Sequence, residues 1–260
     1  MKDGSFTFSA STVLYGEQTL ERACAELAAV GVEAVDLWHV RGWCEHLRAG
    51  AAAVRATLRR HGLRLEAVTA FHSTDAELAA LLPVAAELGA YTLVTGSTAP
   101  EVTVEAFAER IGPLVRQAAG LGVRLAIENH GRATVDSLAS MVELAERLPD
   151  PAFGYALAPI HLWNRGEDTA EAVRRLRERI AFMYIWDWGP TAQAHWKDPQ
   201  EQFVGTGRID FPRVFAALRA IDYDRPLCVF AHGPEHWPPE RTTPELGAAL
   251  ARARALAGRG

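Results

Sequence analysis

The chain is 260 residues long, 49% hydrophobic and 23% charged, the proportions of a soluble globular protein with a sizeable core. Its formal net charge of −5 excludes the basic footprint of nonspecific nucleic-acid binding. The three cysteines, Cys24, Cys44 and Cys228, are irregularly spaced with no CxxC pair, and no apolar run reaches membrane length; a cytoplasmic protein with reduced thiols and no membrane contact is expected.

Short apolar runs alternate with helical stretches rich in Ala, Leu and Arg. A strand is predicted over 6–9 and a helix over 19–30, then strand 34–38 with helix 50–61, strand 65–71 with helix 75–88, and strand 92–95 with helix 102–121. The second half continues with strand 124–128 and helix 135–147, then strand 153–157 and helix 169–179. Strand 182–186 leads through a long loop to helix 211–221, and strand 227–231 precedes helix 244–256. Gly31, Gly62, Gly89 and Gly122 fall between a helix end and the next strand, where a left-handed residue closes a helix. Eight such units without a low-complexity linker predict parallel strands with right-handed crossovers, closed into one α/β domain, a single (β/α)8 TIM barrel over residues 1–260. A doubly wound open sheet would want a glycine-rich phosphate loop after its first strand, and Ser9-Ala10-Ser11-Thr12 is not one.

In such a barrel the active site lies at the C-terminal ends of the strands. That rule gathers Trp38 and His39, Phe71 and His72, Thr95 and Gly96, Glu128 and His130, Ala158 and His161, Tyr184 to Asp187, and Phe230 and His232. Four of the nine histidines (His39, His72, His130 and His232) fall at strand ends, where packing gives no reason for them to recur. Trp38, Trp163, Trp186, Trp188, Trp196 and Trp237 lie in mouth-side loops or strand ends, and indole faces stack well on sugar rings and on aromatic ligands. No arginine cluster at a helix N-terminus marks a phosphate site; Arg132, Arg165 and Arg208 are the nearby loop cations.

The runs Leu125-Ala126-Ile127-Glu128-Asn129-His130-Gly131 and Leu157-Ala158-Pro159-Ile160-His161-Leu162 carry a resemblance, continued by Asp187-Trp188, by Gly205-Thr206-Gly207-Arg208-Ile209-Asp210-Phe211 and by Tyr223-Asp224-Arg225-Pro226-Leu227-Cys228-Val229. Their order and spacing resemble the xylose isomerase-like barrels, the sugar phosphate isomerase/epimerase group. The resemblance implies a divalent ion held by a glutamate, an aspartate, a histidine and a second glutamate from four successive strand ends, polarising a sugar carbonyl. Carried over by position, the first ligand is Glu128, and the other three places hold Ala158, Tyr184 and Phe230. No metal is therefore expected at the usual position, since one carboxylate does not hold a hard dication against water. With Phe230 in place of the second glutamate, two-base epimerisation by the family's route is not expected.

What remains is one-base chemistry on a carbohydrate- or polyol-like small molecule, by proton transfer or by elimination of water. Glu128 is the candidate base, His161 its partner and Tyr184 a candidate proton donor. Trp38, His39, His72, His130, Trp186, Asp187, Phe230 and His232 are candidate substrate contacts. Two alternatives stay open: a noncatalytic relative that binds a ligand or partner, and a metal-dependent epimerase with a displaced Mn, Co, Mg or Zn ion near Glu128, His161, His232 or Asp187. Homo-oligomerisation is left open as well.

Overall fold

The computed structural model describes residues 6–258. In chain order the strands are β1 (Phe8–Ser11), β2 (Ala34–Val40), β3 (Cys44–Glu45), β4 (Arg64–Thr69), β5 (Thr92–Gly96), β6 (Arg124–Glu128), β7 (Phe153–Leu157), β8 (Ile180–Ile185) and β9 (Leu227–Val229). All but β3 run parallel, and β1 pairs with both β2 and β9, which closes an eight-stranded barrel. The short β3 folds back antiparallel on the end of β2. The helices are α1 (Leu20–Ala29), α2 (Ala51–Arg60), α3 (Asp75–Leu88), α4 (Val104–Leu121), α5 (Leu138–Arg147), α6 (Pro159–Asn164), α7 (Thr169–Leu176), α8 (Pro190–Ala194), α9 (Phe211–Ala220) and α10 (Pro239–Ala257). The protein is a TIM barrel, as its alternating pattern predicts. No helix among the described residues is long and apolar enough to cross a membrane.

Local chemistry sets the helix ends. Thr19, Thr74, Thr103, Ser137, Asp168 and Asp210 each accept a backbone N–H at a helix start, and Thr74 forms a reciprocal capping box with Glu77. Gly89 and Gly122 close α3 and α4 in the left-handed conformation, at φ 76° and 69°.

Several boundaries differ from the sequence expectation. The first strand begins at Phe8 rather than residue 6 and runs into a 3₁₀ turn at Thr12–Tyr15, because Ala10 is the residue that registers with Val35 and Val229. The last helix starts at Pro239, not 244: a proline costs nothing in the first turn, and the helix also accommodates Pro244. The short elements β3, α6 and α8 interrupt stretches expected to be loops.

The strands carry two hydrophobic faces. Leu125 and Ile127, Tyr155 and Leu157, Met183 and Ile185, and Leu227 and Val229 pack outward into the core beneath the helices. Ala126, Ala156, Phe182, Tyr184 and Cys228 form a separate inner cluster. Side chains alternate across a strand with a period of two, so the inner set predicts what points at the axis near the mouth: Glu128 after Ala126, Ala158 after Ala156, Trp186 after Tyr184, and Phe230 and His232 after Cys228. Small alanines on β4, β6 and β7 leave room for the large side chains of β8.

Candidate active site

The inner residues at the C-terminal ends of the strands enclose a cavity of about 370 Å³. Its wall contains Glu128, four histidines (His72, His130, His161 and His232) and seven large aromatics: Trp38, Trp43, Phe71, Trp186, Trp188, Trp196 and Phe230. Ile160 and Asn164 from α6 complete it, and among the described residues no lysine or arginine contributes. Phe71 reaches the mouth because Gly96 has no side chain; a Cβ there would lie 2.8 Å from its ring.

Glu128 ends β6 and is 6% exposed. His161 Nε2 lies 3.7 Å from its Oε1, just beyond hydrogen-bond reach. Burial raises the Glu128 carboxyl to about 7, against the pull of His130, His232 and His72. Burial, together with His232, pushes His161 down to about 3, so its imidazole is neutral around pH 7. His161 Nε2 has no hydrogen-bond partner. The His130 ring lies 4.2 Å from that of His161, and its Nδ1 donates to the Gly131 carbonyl at 2.8 Å, which leaves Nε2 as an acceptor. Burial and His161 hold His130 below the ordinary histidine value. Glu128 is thus a carboxyl poised near neutrality beside two uncharged imidazoles.

Phe230 contacts Trp38, Trp186, Tyr184 and His232, with ring centroids 4.6 to 5.4 Å away. Below it lies a closed polar layer. Thr69 donates to the fully buried Asp36 at 2.7 Å, and the Tyr184 hydroxyl lies 3.3 Å from Thr69 Oγ1. Burial raises Asp36 to about 7 despite the Thr69 hydrogen bond, and drives Tyr184 well above the usual phenol value. Neither residue lines the cavity.

The structure corrects three placements. Tyr184 faces the axis as expected but stands two residues deeper than Trp186, roughly 6–7 Å along the strand, and Phe230 covers it. It is out of reach as a proton donor to a ligand. His39 follows the inward Trp38, so its side chain points to the other face and lines an outer groove with Arg41, Glu45 and Glu77. Asp187 follows the inward Trp186 and turns into the loop. Its Oδ1 accepts from the N–H groups of Trp188 and Ile209, and its Oδ2 from those of Gly205 and Gly207, all at 2.8 to 3.0 Å. It is a loop anchor, not a cavity residue. Trp163 lines a different surface groove, and Trp237 packs against the outer core.

Trp38, His72, His130, Trp186, Phe230 and His232, all expected as ligand contacts, do line the cavity together with Glu128 and His161. Sequence reasoning missed Gln202 and Glu235. Gln202 is fully buried; its Oε1 accepts from Trp186 Nε1 (3.0 Å) and the His232 backbone N–H (2.9 Å), and its Nε2 donates to the carbonyls of Trp196 and Asp198. It ties the 195–203 loop to the ends of β8 and β9. Nothing in its sequence neighbourhood signals this role, because Trp186 and His232 lie 16 and 30 residues away.

The residues at the family's metal position do not fit a divalent ion. Ala158 offers a methyl group, Phe230 a ring, and Tyr184 a hydroxyl turned toward Thr69, which leaves Glu128 as the single carboxylate. Among the described residues, no three His, Cys, Asp or Glu side chains converge as a ligand set, Glu128, His161 and His232 included.

Eight parallel strands with an inward carboxylate at the mouth of the barrel define the class, and sequence comparison gives the family. The chain belongs to the xylose isomerase-like TIM barrel family, whose model matches residues 24–253. No curated protein matches it in sequence. A xylose isomerase domain protein from Alicyclobacillus acidocaldarius subsp. acidocaldarius is similar at TM-score 0.78 and 22% identity, over 98% of this chain and 100% of that one. The probable 3-DHS dehydratase AsbF of Bacillus anthracis, involved in petrobactin synthesis, gives 0.77 and 16%, over 98% and 100%. A D-psicose 3-epimerase studied in the presence of D-fructose gives 0.77 and 14%, over 97% and 99%. At these identities the likeness is one of fold.

Proposed function

We propose that this protein is an isomerase- or epimerase-like enzyme for a carbohydrate- or polyol-like small molecule, with Glu128 as the base and no ion at the family's usual position. The observation that carries this reading is a carboxyl group buried at the mouth of an open cavity, held near neutrality and given no hydrogen-bond partner of its own. A buried, unpaired carboxylate is costly for the fold, and substrate chemistry is the specific reason to retain one. The sugar epimerases among structures of the same fold support a carbohydrate-like substrate.

Glu128 takes a proton from the carbon next to a substrate carbonyl, and the electron pair moves onto the carbonyl oxygen. The proton of the adjacent hydroxyl passes to that oxygen, and Glu128 returns its own proton to the former carbonyl carbon on the same face, so the carbonyl moves by one carbon. Neutral His161, with its free Nε2 beside Glu128, is the group available to hydrogen-bond the developing oxyanion or a bridging hydroxyl. The indoles hold the C–H faces of a ring and exclude water. Loss of a hydroxyl from the same enolate gives elimination, so a lyase outcome uses the same base.

The test is incubation with ketohexoses in D₂O, reading deuterium at carbon by mass spectrometry and NMR. Glu128→Gln keeps the shape and should abolish wash-in. Wash-in that survives the substitution rules the mechanism out.

A further inference from the structure

We infer that His232, oriented by the buried carboxylate of Glu235, is a second proton-transfer group of this cavity, on the other side of Trp186 from Glu128. The inference rests on the reading of Glu128 as a base and adds a partner to it.

The geometry begins with Gly233. It adopts φ 105°, and a Cβ on it would lie 2.2 Å from the Lys197 carbonyl, so only glycine allows the chain to turn here against the 195–203 loop. The turn sends the chain into a 3₁₀ segment (Pro234–His236) and brings Glu235 back beneath His232. Glu235 Oε2 accepts the Gly233 N–H at 2.6 Å. Its Oε1 lies 3.7 Å from His232 Nδ1 and 3.8 Å from His236 Nε2, and has no hydrogen-bond partner. His236 is half exposed and already bonded through Nδ1 to Glu17 at 2.7 Å. His232 Nδ1 is buried and equally without a partner. The two unpartnered atoms therefore face each other at 3.7 Å, inside a site where an orphaned carboxylate oxygen is expensive.

His232 is fixed in place by more than this pair. Its backbone N–H is bound by Gln202, and its ring stacks on Trp43 at 5.1 Å and 25°, with the edges of Trp186 and Trp196 at 5.1 and 5.3 Å. Trp186 also meets His161 at 5.8 Å, so the Glu128–His161 pair and the His232–Glu235 pair flank one indole of the same cavity. Burial opposes charge on Glu235, but His232 and the backbone N–H groups of Gly233 and Glu235 together hold the carboxyl below its ordinary value. An ionised carboxylate on the Nδ1 side keeps the proton of that nitrogen in place and leaves Nε2 as the atom that gains and loses a proton, the arrangement used wherever a carboxylate orients a catalytic imidazole. Phe230 removes a carboxylate from the axis; His232, two residues later on the same face, restores an acid–base group there. When Glu128 takes the carbon-bound proton, His232 Nε2 gives its proton either to the carbon from the second face, which inverts it, or to a departing hydroxyl, which leaves as water. In both cases the imidazole becomes neutral and Glu128 becomes protonated.

The experiment is long-range ¹H–¹⁵N NMR on the ¹⁵N-histidine-labelled full chain, with His232 assigned by its loss in His232→Gln. The expected result is an Nδ1-protonated His232 in the wild type, with Nε2 alone changing protonation with pH, and loss of the single-tautomer signature in Glu235→Gln. A wild-type His232 whose proton rests on Nε2 overturns the proposal and needs no variant to fold; so does a tautomer that Glu235→Gln leaves unchanged. For a sugar that the wild type converts in D₂O, His232→Gln should cut epimer or elimination product about 100-fold while wash-in at the Glu128 face persists. Failure of that split with intact Glu128-dependent wash-in removes the second group and leaves the first, whereas wash-in retained in Glu128→Gln removes the reading beneath both.

Discussion

Glu128 and Asp187 are both carboxylates at the C-terminal mouth of the barrel, 6% and 1% exposed, and burial pushes both upward. Their surroundings are opposite. Asp187 takes four backbone N–H groups from the loop that follows β8, so both of its oxygens are hydrogen-bonded by the chain itself. Glu128 takes none and looks into the cavity, with an uncharged imidazole 3.7 Å away. Burial alone does not separate the two; the hydrogen bonds each carboxylate accepts do.

If that contrast is right, the two residues should fail in different assays. Glu128→Gln should cost about 10²- to 10⁴-fold in turnover, the usual contribution of a positioned base, with ligand affinity nearly unchanged. Equal losses in kcat/KM and in binding would break the contrast from the catalytic side. Asp187→Ala should leave four backbone donors without an acceptor and destabilise the protein by about 3–5 kcal/mol in urea unfolding. A variant that unfolds like the wild type would show that water replaces Asp187 and that the loop does not need it.

The pH dependence sharpens the comparison. The folded-state value of Glu128, about 7, lies above its ordinary 4.5. The folded protein therefore holds a proton there that the unfolded chain releases, and this contribution is fully present below 4.5 and lost as pH rises through 7. His161 acts in the reverse sense, losing stability as pH falls from 6.5 toward 3, but it is common to both proteins when wild type and Glu128→Gln are compared. The stability gained by Glu128→Gln over wild type should therefore grow by about 3 kcal/mol between pH 4.5 and pH 8. A flat difference would mean that Glu128 is solvated like Asp187. The smallest expected effect is that of metal. Mn²⁺ or Co²⁺ added to dialysed protein should not raise the Tm, whereas an ion at about 100 times its Kd would add about 2.7 kcal/mol. A clear rise that Glu128→Gln removes would restore the metal-dependent alternative.

Much of this was legible in the chain. Alternating apolar runs and helical stretches, closed by Gly31, Gly62, Gly89 and Gly122, specify eight βα units because helix ends and strand periods are local properties of the backbone. The strand-end rule then places Glu128, Trp186, Phe230 and His232 at one mouth, and the absence of three carboxylate or imidazole ligands can be read residue by residue. Tertiary structure decided how neighbours divide the work. Trp38 and His39, or Trp186 and Asp187, sit side by side in sequence, yet the two-residue period turns one of each pair into the cavity and the other away. Tyr184 shares its face with Trp186 and still falls out of reach, because depth along the axis depends on the aromatic packed above it. Gln202 meets Trp186 and His232 only where separate loops cross, and Glu235 meets His232 only because a positive φ at Gly233 reverses the chain. The Gln202 pairings depend on contacts between loops, which no local pattern encodes, whereas the His232–Glu235 pair spans three residues and turns on the backbone of Gly233.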